Sequence, residues 1–185
     1  MDAMQQHLAL AEHQQMTTER LILRPVTLAD AEDMYAYASD ATTTQHMPWP
    51  RHTSLANTQS NIANFFMAAP LGKFGIQLQG TDTLIGTCDI RIKGNGVAEI
   101  GYIIHQDHWG KGYATETAAA LIALGFNHMG MDKVMAVHHE DNQSSGKVMT
   151  KLGMRLEGVL RQGEALMGKV YSPHVYGILK NEYQG

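Results

Sequence analysis

The segment Trp109-Gly110-Lys111-Gly112-Tyr113-Ala114-Thr115 lies between a predicted strand and a predicted helix. Small residues at such a junction let the backbone approach a bulky anion. The first N–H groups of a helix lack partners within it, and the helix dipole places about half a positive charge there. The spacing therefore favours a phosphate or pyrophosphate site, to which Lys111 adds a charge. It matches neither the P-loop nor the dinucleotide fingerprint, so an ordinary glycine turn is an equal alternative.

Two other residues have side chains suited to acid–base chemistry. Glu99 lies on the strand that leads to this segment and shares a face with Gly101 and Ile103, because strand side chains alternate. A carboxylate in that position is either a base or an edge residue that faces water. Ser145 opens the helix that follows the strand Lys133–His138, where a serine is also a common helix cap.

The run His138-His139-Glu140-Asp141 contains the residue types that bind metals. Adjacent residues at the end of a strand point to opposite sides, so they form a poor chelate. Cys88, the single cysteine, excludes a site built from several cysteines and is predicted to be a small core residue. The sequence therefore predicts no metal site.

The composition limits the function classes. A chain of 185 residues with 44% hydrophobic residues predicts one globular domain. The net charge of −4 provides no general attraction for nucleic acid or an anionic membrane. No stretch is apolar and long enough for a membrane span, and the N-terminus does not resemble a secretory signal. We expect a soluble, cytoplasmic protein.

The N-terminal segment 1–15 is rich in Gln, His and Ala and precedes a second plausible start at Met16. It shows no apolar periodicity that would dock it on a core. We expect residues 1–15 to be a dispensable appendage and residues 16–183 to form the functional domain.

The order of predicted elements defines the fold class. A strand and two helices precede three antiparallel strands, after which come a helix, a strand, a helix and two strands. This order predicts a single α+β domain with a central mixed, mostly antiparallel sheet and helices on both faces.

Several motifs together resemble the GNAT acetyltransferase superfamily, and within it the ribosomal-protein alanine N-acetyltransferase (RimJ/RimL-like) group. The superfamily loop has the pattern Gln/Arg-x-x-Gly-x-Gly/Ala, in which Gly112 and Ala114 fill the small positions and Trp109 departs from the first. The resemblance covers the chain from about Thr18 to Tyr183. The motifs that carry it are Gly101-Tyr102, the segment 109–116, Asn142-x-x-Ser145 and Lys151-Leu152-Gly153-Met154.

The resemblance implies that acetyl-CoA is the co-substrate, with its pyrophosphate on the N–H groups of Trp109–Thr115. The pantetheine arm would lie beside the strand end at Ile103 and Ile104, where one backbone N–H would polarise the thioester carbonyl. Asn142 would hold the pantetheine or the amine, and Lys147 would meet a CoA phosphate unless it is only solvated. The residues implied for acetyl-CoA are Ile103, Ile104, Trp109, Gly110, Lys111, Gly112, Tyr113, Ala114, Thr115, Asn142 and Lys147.

The resemblance also implies roles for the two acid–base candidates. A glutamate on this strand often serves as the base in the family, which favours Glu99. Many relatives protonate the CoA thiolate with a tyrosine on the helix of Ser145. The segment Gly146–Leu152 contains no tyrosine, so Ser145 is the predicted donor.

The sequence thus predicts an N-acetyltransferase whose acceptor is a primary amine, first of all a protein N-terminal α-amine. An α-amine has a pKa about 2.5 units below that of lysine, so its deprotonation costs about 3.5 kcal/mol less. A polyamine, an aminoglycoside and a non-catalytic CoA-binding module are the alternatives, and a homodimer is left open.

Overall fold

A mixed sheet of eight strands forms the centre of the fold. The structure is a computed structural model and describes residues 2–166 and 168–185. The strand order is β1-β2-β3-β4-β5-β6-β10-β7, and β8 and β9 form a separate hairpin. The strands are β1 (Met16–Thr17), β2 (Leu21–Arg24), β3 (Lys73–Leu78), β4 (Leu84–Gly94), β5 (Val97–Ile104), β6 (Lys133–His138), β7 (Arg155–Val159), β8 (Glu164–Leu166), β9 (Lys169–Tyr171) and β10 (His174–Leu179).

Helices cover both faces of the sheet. They are α1 (Ala3–Glu12), α2 (Ala31–Ala38), α3 (Ala41–Thr44), α4 (Leu55–Asn61), α5 (Tyr113–Ala123) and α6 (Gln143–Lys151). Two of them continue as π-helical turns, α4 over Ile62–Met67 and α5 over Leu124–His128. The predicted α+β class, with one mixed and mostly antiparallel sheet, is confirmed.

The core has two parts because strand side chains alternate between the faces. One cluster joins alternate residues of β4 to β6, such as Ile90, Ile100 and Val134, to α5 and α6. The other lies on the opposite face and joins α2 and the end of α4 to Leu84 and Ile103. In the described part of the chain, no helix is long and apolar enough to cross a membrane.

The pair β5–β6 is parallel, and its pairing stops before the strands do. The register runs from Val97↔Lys133 to Ile100↔Ala136, whereas β5 continues to Ile104 and β6 to His138. On its other side β5 stays paired with β4 up to Ile104. The carboxyl ends of β5 and β6 therefore separate and leave a gap in the middle of the sheet.

The N-terminal segment differs from the expected appendage. A reciprocal capping box between Asp2 and Gln5 starts α1. Ala9 and Leu10 are buried in the α5 side of the core, and the ring of His13 lies 3.9 Å from that of His128. The segment therefore docks on the domain, and we expect it to contribute to stability instead of being dispensable.

The first prediction tests this contribution. Leu10→Ala removes a side chain that is 3% exposed, and core truncations of this kind cost about 2–5 kcal/mol. Each 1 kcal/mol lowers the Tm of a domain of this size by about 2–4 °C. We expect thermal melting to show a loss of several degrees for Leu10→Ala and for deletion of residues 2–15.

Leu8→Ala is the matched control, because Leu8 lies on the same helix and is 57% exposed. Its Tm should stay close to that of the wild type. Unchanged melting of the deletion variant would restore the interpretation of the segment as a dispensable appendage.

Candidate active site

The gap between β5 and β6 exposes backbone donors of β5. The N–H of Lys133 donates to Gly96 O, so the even-numbered residues of β5 direct their backbone groups towards β6. The N–H of His105 donates to Ile85 O, so the odd-numbered residues face β4. Beyond the last paired residue, Tyr102 and Ile104 therefore direct their N–H groups into the gap. Ile103 directs its own towards β4.

The glycine-rich loop leads into α5, as predicted. Gly110 and Gly112 have φ values of +75° and +85°, a conformation that side chains rarely adopt. Gly112 is the N-cap residue, and no side chain caps the helix. The loop and the first turn, with Tyr113, Ala114 and Thr115, thus offer backbone donors and the positive end of the helix dipole to an anion.

A polar cluster that sequence reasoning missed supports this loop. The guanidinium of Arg20 donates to Lys111 O (2.9 Å) and forms an ion pair with Glu116 in the first turn of α5 (2.7 Å). Glu116 also accepts from the hydroxyl of Thr18 (2.6 Å). The Arg20 guanidinium lies over the ring of Tyr113, 4.8 Å from its centroid. The half-exposed guanidinium of Arg20 is therefore held beside the candidate anion site.

Two side chains of the loop, Trp109 and Lys111, form hydrogen bonds to backbone carbonyls. The indole N–H of Trp109 donates to Ile104 O at 2.6 Å, which links the loop to the end of β5 beside the gap. The ammonium of Lys111 donates to Asp107 O at 2.9 Å on the exposed side of the loop. Trp109 thus contributes to the position of the loop.

A cavity of about 600 Å³ extends through the gap from one face of the sheet to the other. On the α6 side it is lined by Tyr102, Asn142 and Ser145, and on the α2 side by Asp89 and Glu99. Its volume lies within the usual range of about 300–1,000 Å³ for small-molecule sites. The α2 side is otherwise mostly aromatic and apolar, with Tyr37, Met47, Trp49, Phe65, Phe66 and Tyr171.

Ser145 lies on the cavity side of α6, where its hydroxyl shares a 3.1 Å hydrogen bond with that of Tyr102. The helix cap is Asn142, whose side-chain oxygen accepts from the N–H of Ser145 at 3.2 Å. The Ser145 hydroxyl is therefore not needed as a cap. Burial raises the pKa of Tyr102, against the effect of the Ser145 hydrogen bond, so the Tyr102 hydroxyl stays protonated at neutral pH.

Glu99 belongs to a group of four charged residues, the ion cluster, which consists of Asp89, Arg91, Lys93 and Glu99. Arg91 lies opposite Glu99 in the β4–β5 register and donates to its Oε1 at 2.6 Å. Lys93 lies 3.0 Å from its Oε2. Burial by itself would raise the pKa of Glu99, but the hydrogen bonds and charges of Lys93 and Arg91 together hold it below the usual value.

Asp89 is the second carboxylate of the ion cluster, and sequence reasoning missed it. It lies opposite Gly101 and forms an ion pair with Arg91 through Oδ2. Burial is the largest influence on this carboxyl and raises its pKa above the usual value despite the charge of Arg91. Side-chain alternation along β4 places Asp89 and Arg91 on one face of the strand. Only the β4–β5 register shows that Glu99 lies on the same face and meets them.

Lys147, Cys88 and the residue types that bind metals are the remaining candidates from the sequence; Cys88 also borders the cavity. Lys147 lines a second, open groove on α6, together with Gln143 and Lys151. Cys88 is buried at 3% exposure, and burial raises the pKa of its thiol well above the usual value, as expected for a core residue. Across residues 2–166 and 168–185, no three His, Cys, Asp or Glu side chains are placed to hold a metal ion.

Comparison with known proteins identifies the class. Residues 20–155 match the model of the acetyltransferase (GNAT) domain, which is most of the chain. The chain is 34% identical over 173 residues to the uncharacterized N-acetyltransferase p20 of Bacillus licheniformis, covering 91% of this chain and 97% of that protein. The protein therefore belongs to the GNAT acetyltransferases, and its co-substrate is acetyl-CoA.

Solved structures agree with this assignment. The GNAT-family acetyltransferase of Bacillus anthracis superposes with a TM-score of 0.83 at 26% identity, covering 91% of this chain and 99% of that one. A candidate ribosomal-protein-serine acetyltransferase of Vibrio cholerae superposes with a TM-score of 0.76 at 24% identity, covering 89% and 97%. The second likeness shows a shared fold.

The second prediction concerns the loop before α5. A Cβ on Gly112 would lie 3.2 Å from Nη2 of Arg20, beside the candidate anion site, and the residue has φ +85°. We expect Gly112→Val to weaken acetyl-CoA binding by about 10- to 100-fold, the equivalent of one or two charge-assisted hydrogen bonds. Calorimetric titration measures the change in Kd.

Gly80→Val is the control, because Gly80 has φ +76° in a turn where a Cβ would have open space. Both variants carry similar backbone strain, so both should lose similar thermal stability. Equal acetyl-CoA affinity in the two folded variants would contradict the assignment of the loop as the pyrophosphate site.

Proposed function

We propose that this acetyltransferase moves the acetyl group of acetyl-CoA to a primary amine, first of all the α-amine at a protein N-terminus. The observation that carries the proposal is the cavity through the β5–β6 gap. It joins a hydroxyl pair on the α6 side to a pair of carboxylates on the α2 side. A thioester in the gap would have a proton donor on one side and a proton acceptor on the other.

The gap supports a direct attack on the thioester. The N–H groups of Ile104 and Tyr102 are the donors available to the carbonyl oxygen, on which negative charge develops in the tetrahedral intermediate. Ser145, hydrogen-bonded to Tyr102, donates a proton to the departing CoA thiolate. Gly110, Gly112 and the first turn of α5 hold the pyrophosphate, with Arg20 as an additional charge.

A carboxylate of the ion cluster is a weak base, which favours an acceptor amine of low basicity. Glu99, the base predicted from the sequence, has both oxygens paired with cations, so its capacity to accept a proton is reduced. A weak base is better matched to an α-amine, whose pKa is about 7.7–8.0, than to lysine at about 10.4. Glu99 as the proton acceptor stays a prediction.

The likeness to a candidate ribosomal-protein-serine acetyltransferase is consistent with a protein N-terminus as the acceptor. A small amine such as a polyamine or an aminoglycoside remains the second candidate. The aromatic and apolar lining of the α2 side favours it, because rings such as Trp49 and Phe65 can enclose a compact acceptor.

The third prediction separates these acceptors. We expect short peptides with a free α-amine to release CoA thiol at neutral pH, with the acetyl group on the first residue by mass spectrometry. The same peptides with a blocked α-amine and a free lysine are the matched substrates and should react much more slowly. Preferential acetylation of the lysine, a polyamine or an aminoglycoside would contradict the α-amine proposal.

A pair of variants in the same assay tests whether the transfer uses the proposed site. Ser145→Ala removes the hydroxyl and should lower kcat, by up to about 10²–10⁴ if proton transfer limits the rate, with little change in acetyl-CoA affinity. Ser144→Ala changes the preceding, exposed serine and should leave kcat unchanged. Equal kcat for the two variants would remove Ser145 from the mechanism.

A further inference from the structure

The two carboxylates of the ion cluster differ in how their oxygens are engaged. Oε1 and Oε2 of Glu99 are each paired with a cation, Arg91 and Lys93 respectively. The hydrogen bond from Arg91 to Asp89 uses Oδ2. Among the residues that the structure describes, no hydrogen bond uses Asp89 Oδ1. A free carboxylate oxygen in the cavity wall is available to a ligand, whereas those of Glu99 are occupied.

The free oxygen of Asp89 also lies closer to the point where the strands separate. Asp89 is opposite Gly101, the first residue of β5 beyond the last β5–β6 pair at Ile100. A Cβ built on Gly101 would lie 2.7 Å from Asp89 Oδ1, so this oxygen lies directly against the Gly101 backbone. Glu99 lies two residues earlier, where β5 is still paired with β6.

We propose that Asp89 takes the proton from the acceptor amine and that Glu99 is a positioning residue that holds Arg91. The inference rests on the proposed transfer to an amine and names the group that serves it. The ammonium form of the acceptor meets the free Oδ1 of Asp89 on the α2 side of the sheet, next to the thioester in the gap.

The proton and electron balance is complete within the reaction. The ammonium of the acceptor gives one proton to Asp89 Oδ1, which passes it to solvent. The neutral amine then forms the new N–C bond to the acetyl carbon and gives its second proton to the same oxygen. The C–S bond breaks, its electron pair goes to sulfur, and the sulfur takes a proton from the Ser145–Tyr102 pair. Solvent then removes the proton from Asp89 and restores the one on the hydroxyl pair.

Burial makes Asp89 a better proton acceptor than Glu99. Arg91 on β4 and Lys73 on β3 favour its ionised form, while burial and Glu99 on β5 oppose it, and the net effect raises its pKa. Lys93 and Arg91, in contrast, hold the pKa of Glu99 low despite its burial. Geometry and basicity therefore indicate the same residue.

The test compares Asp89→Asn with Glu99→Gln, each of which keeps the shape of its side chain. We expect Asp89→Asn to lower kcat/KM at pH 7 by about 10²–10⁴, with acetyl-CoA still bound. The ratio of wild-type to variant rate should shrink as the pH rises past the pKa of the amine, because solvent then removes the proton. Glu99→Gln should lose much less activity and show no such dependence on pH.

Gly101→Ala is a second variant, in which Asp89 and its partner Arg91 are both kept. Its Cβ would displace Oδ1, so kcat should fall without loss of folding. Gly158→Ala is the matched control, since a Cβ at that strand glycine meets open space. An equal or larger loss in Glu99→Gln than in Asp89→Asn would overturn the proposal, as would a pH-independent loss in Asp89→Asn.

A measurement without an acceptor separates this inference from the proposed function. Titration of the labelled carboxyl carbons by NMR, assigned with the two variants, should give Asp89 a higher pKa than Glu99 in the free enzyme. The opposite order would overturn the role of Asp89. If the wild type acetylates no α-amine peptide, the proposed acceptor is rejected instead. The variants are then compared with the amine that the enzyme does acetylate.

Discussion

The end of the pairing between β5 and β6 is the constraint on which the rest of the site depends. A parallel pair that continued to Ile104 and His138 would satisfy the N–H groups of Tyr102 and Ile104 within the sheet. Because pairing stops at Ile100↔Ala136, these donors face the cavity and are available to a ligand. The thioester of acetyl-CoA in the gap would accept hydrogen bonds from them, so the incomplete sheet would supply part of the binding site.

Side chains alternate along β5, so the two proposed proton transfers lie on opposite faces of the sheet. Tyr102 faces α6 and meets Ser145, while its neighbour Gly101 faces α2 and lies against Asp89. In the proposed reaction, protonation of the leaving thiolate and deprotonation of the amine would therefore take place beside adjacent residues of one strand. The absence of a side chain at Gly101 gives the carboxylate its place beside the gap.

Much of this arrangement follows from local sequence patterns. The strand Lys133–His138, the start of α5 after Gly112 and the mixed sheet were predicted because periodicity and glycines are local signals. The contacts Tyr102–Ser145 and Arg20–Lys111 join residues far apart in the chain, so only the assembled sheet shows them. Helix α1 was missed for another reason. Its capping box was readable at Asp2, but the burial of Leu10 depends on tertiary packing.

The most direct test of the account is an amide NMR titration with acetyl-CoA. We expect the N–H signals of Tyr102 and Ile104 to shift and to become protected from hydrogen exchange. The N–H signals of Gly101 and Ile103, which face β4, should retain the protection of the paired strand. The reverse pattern, or binding of acetyl-CoA with no effect on Tyr102 and Ile104, would contradict the gap between β5 and β6 as the site of the thioester.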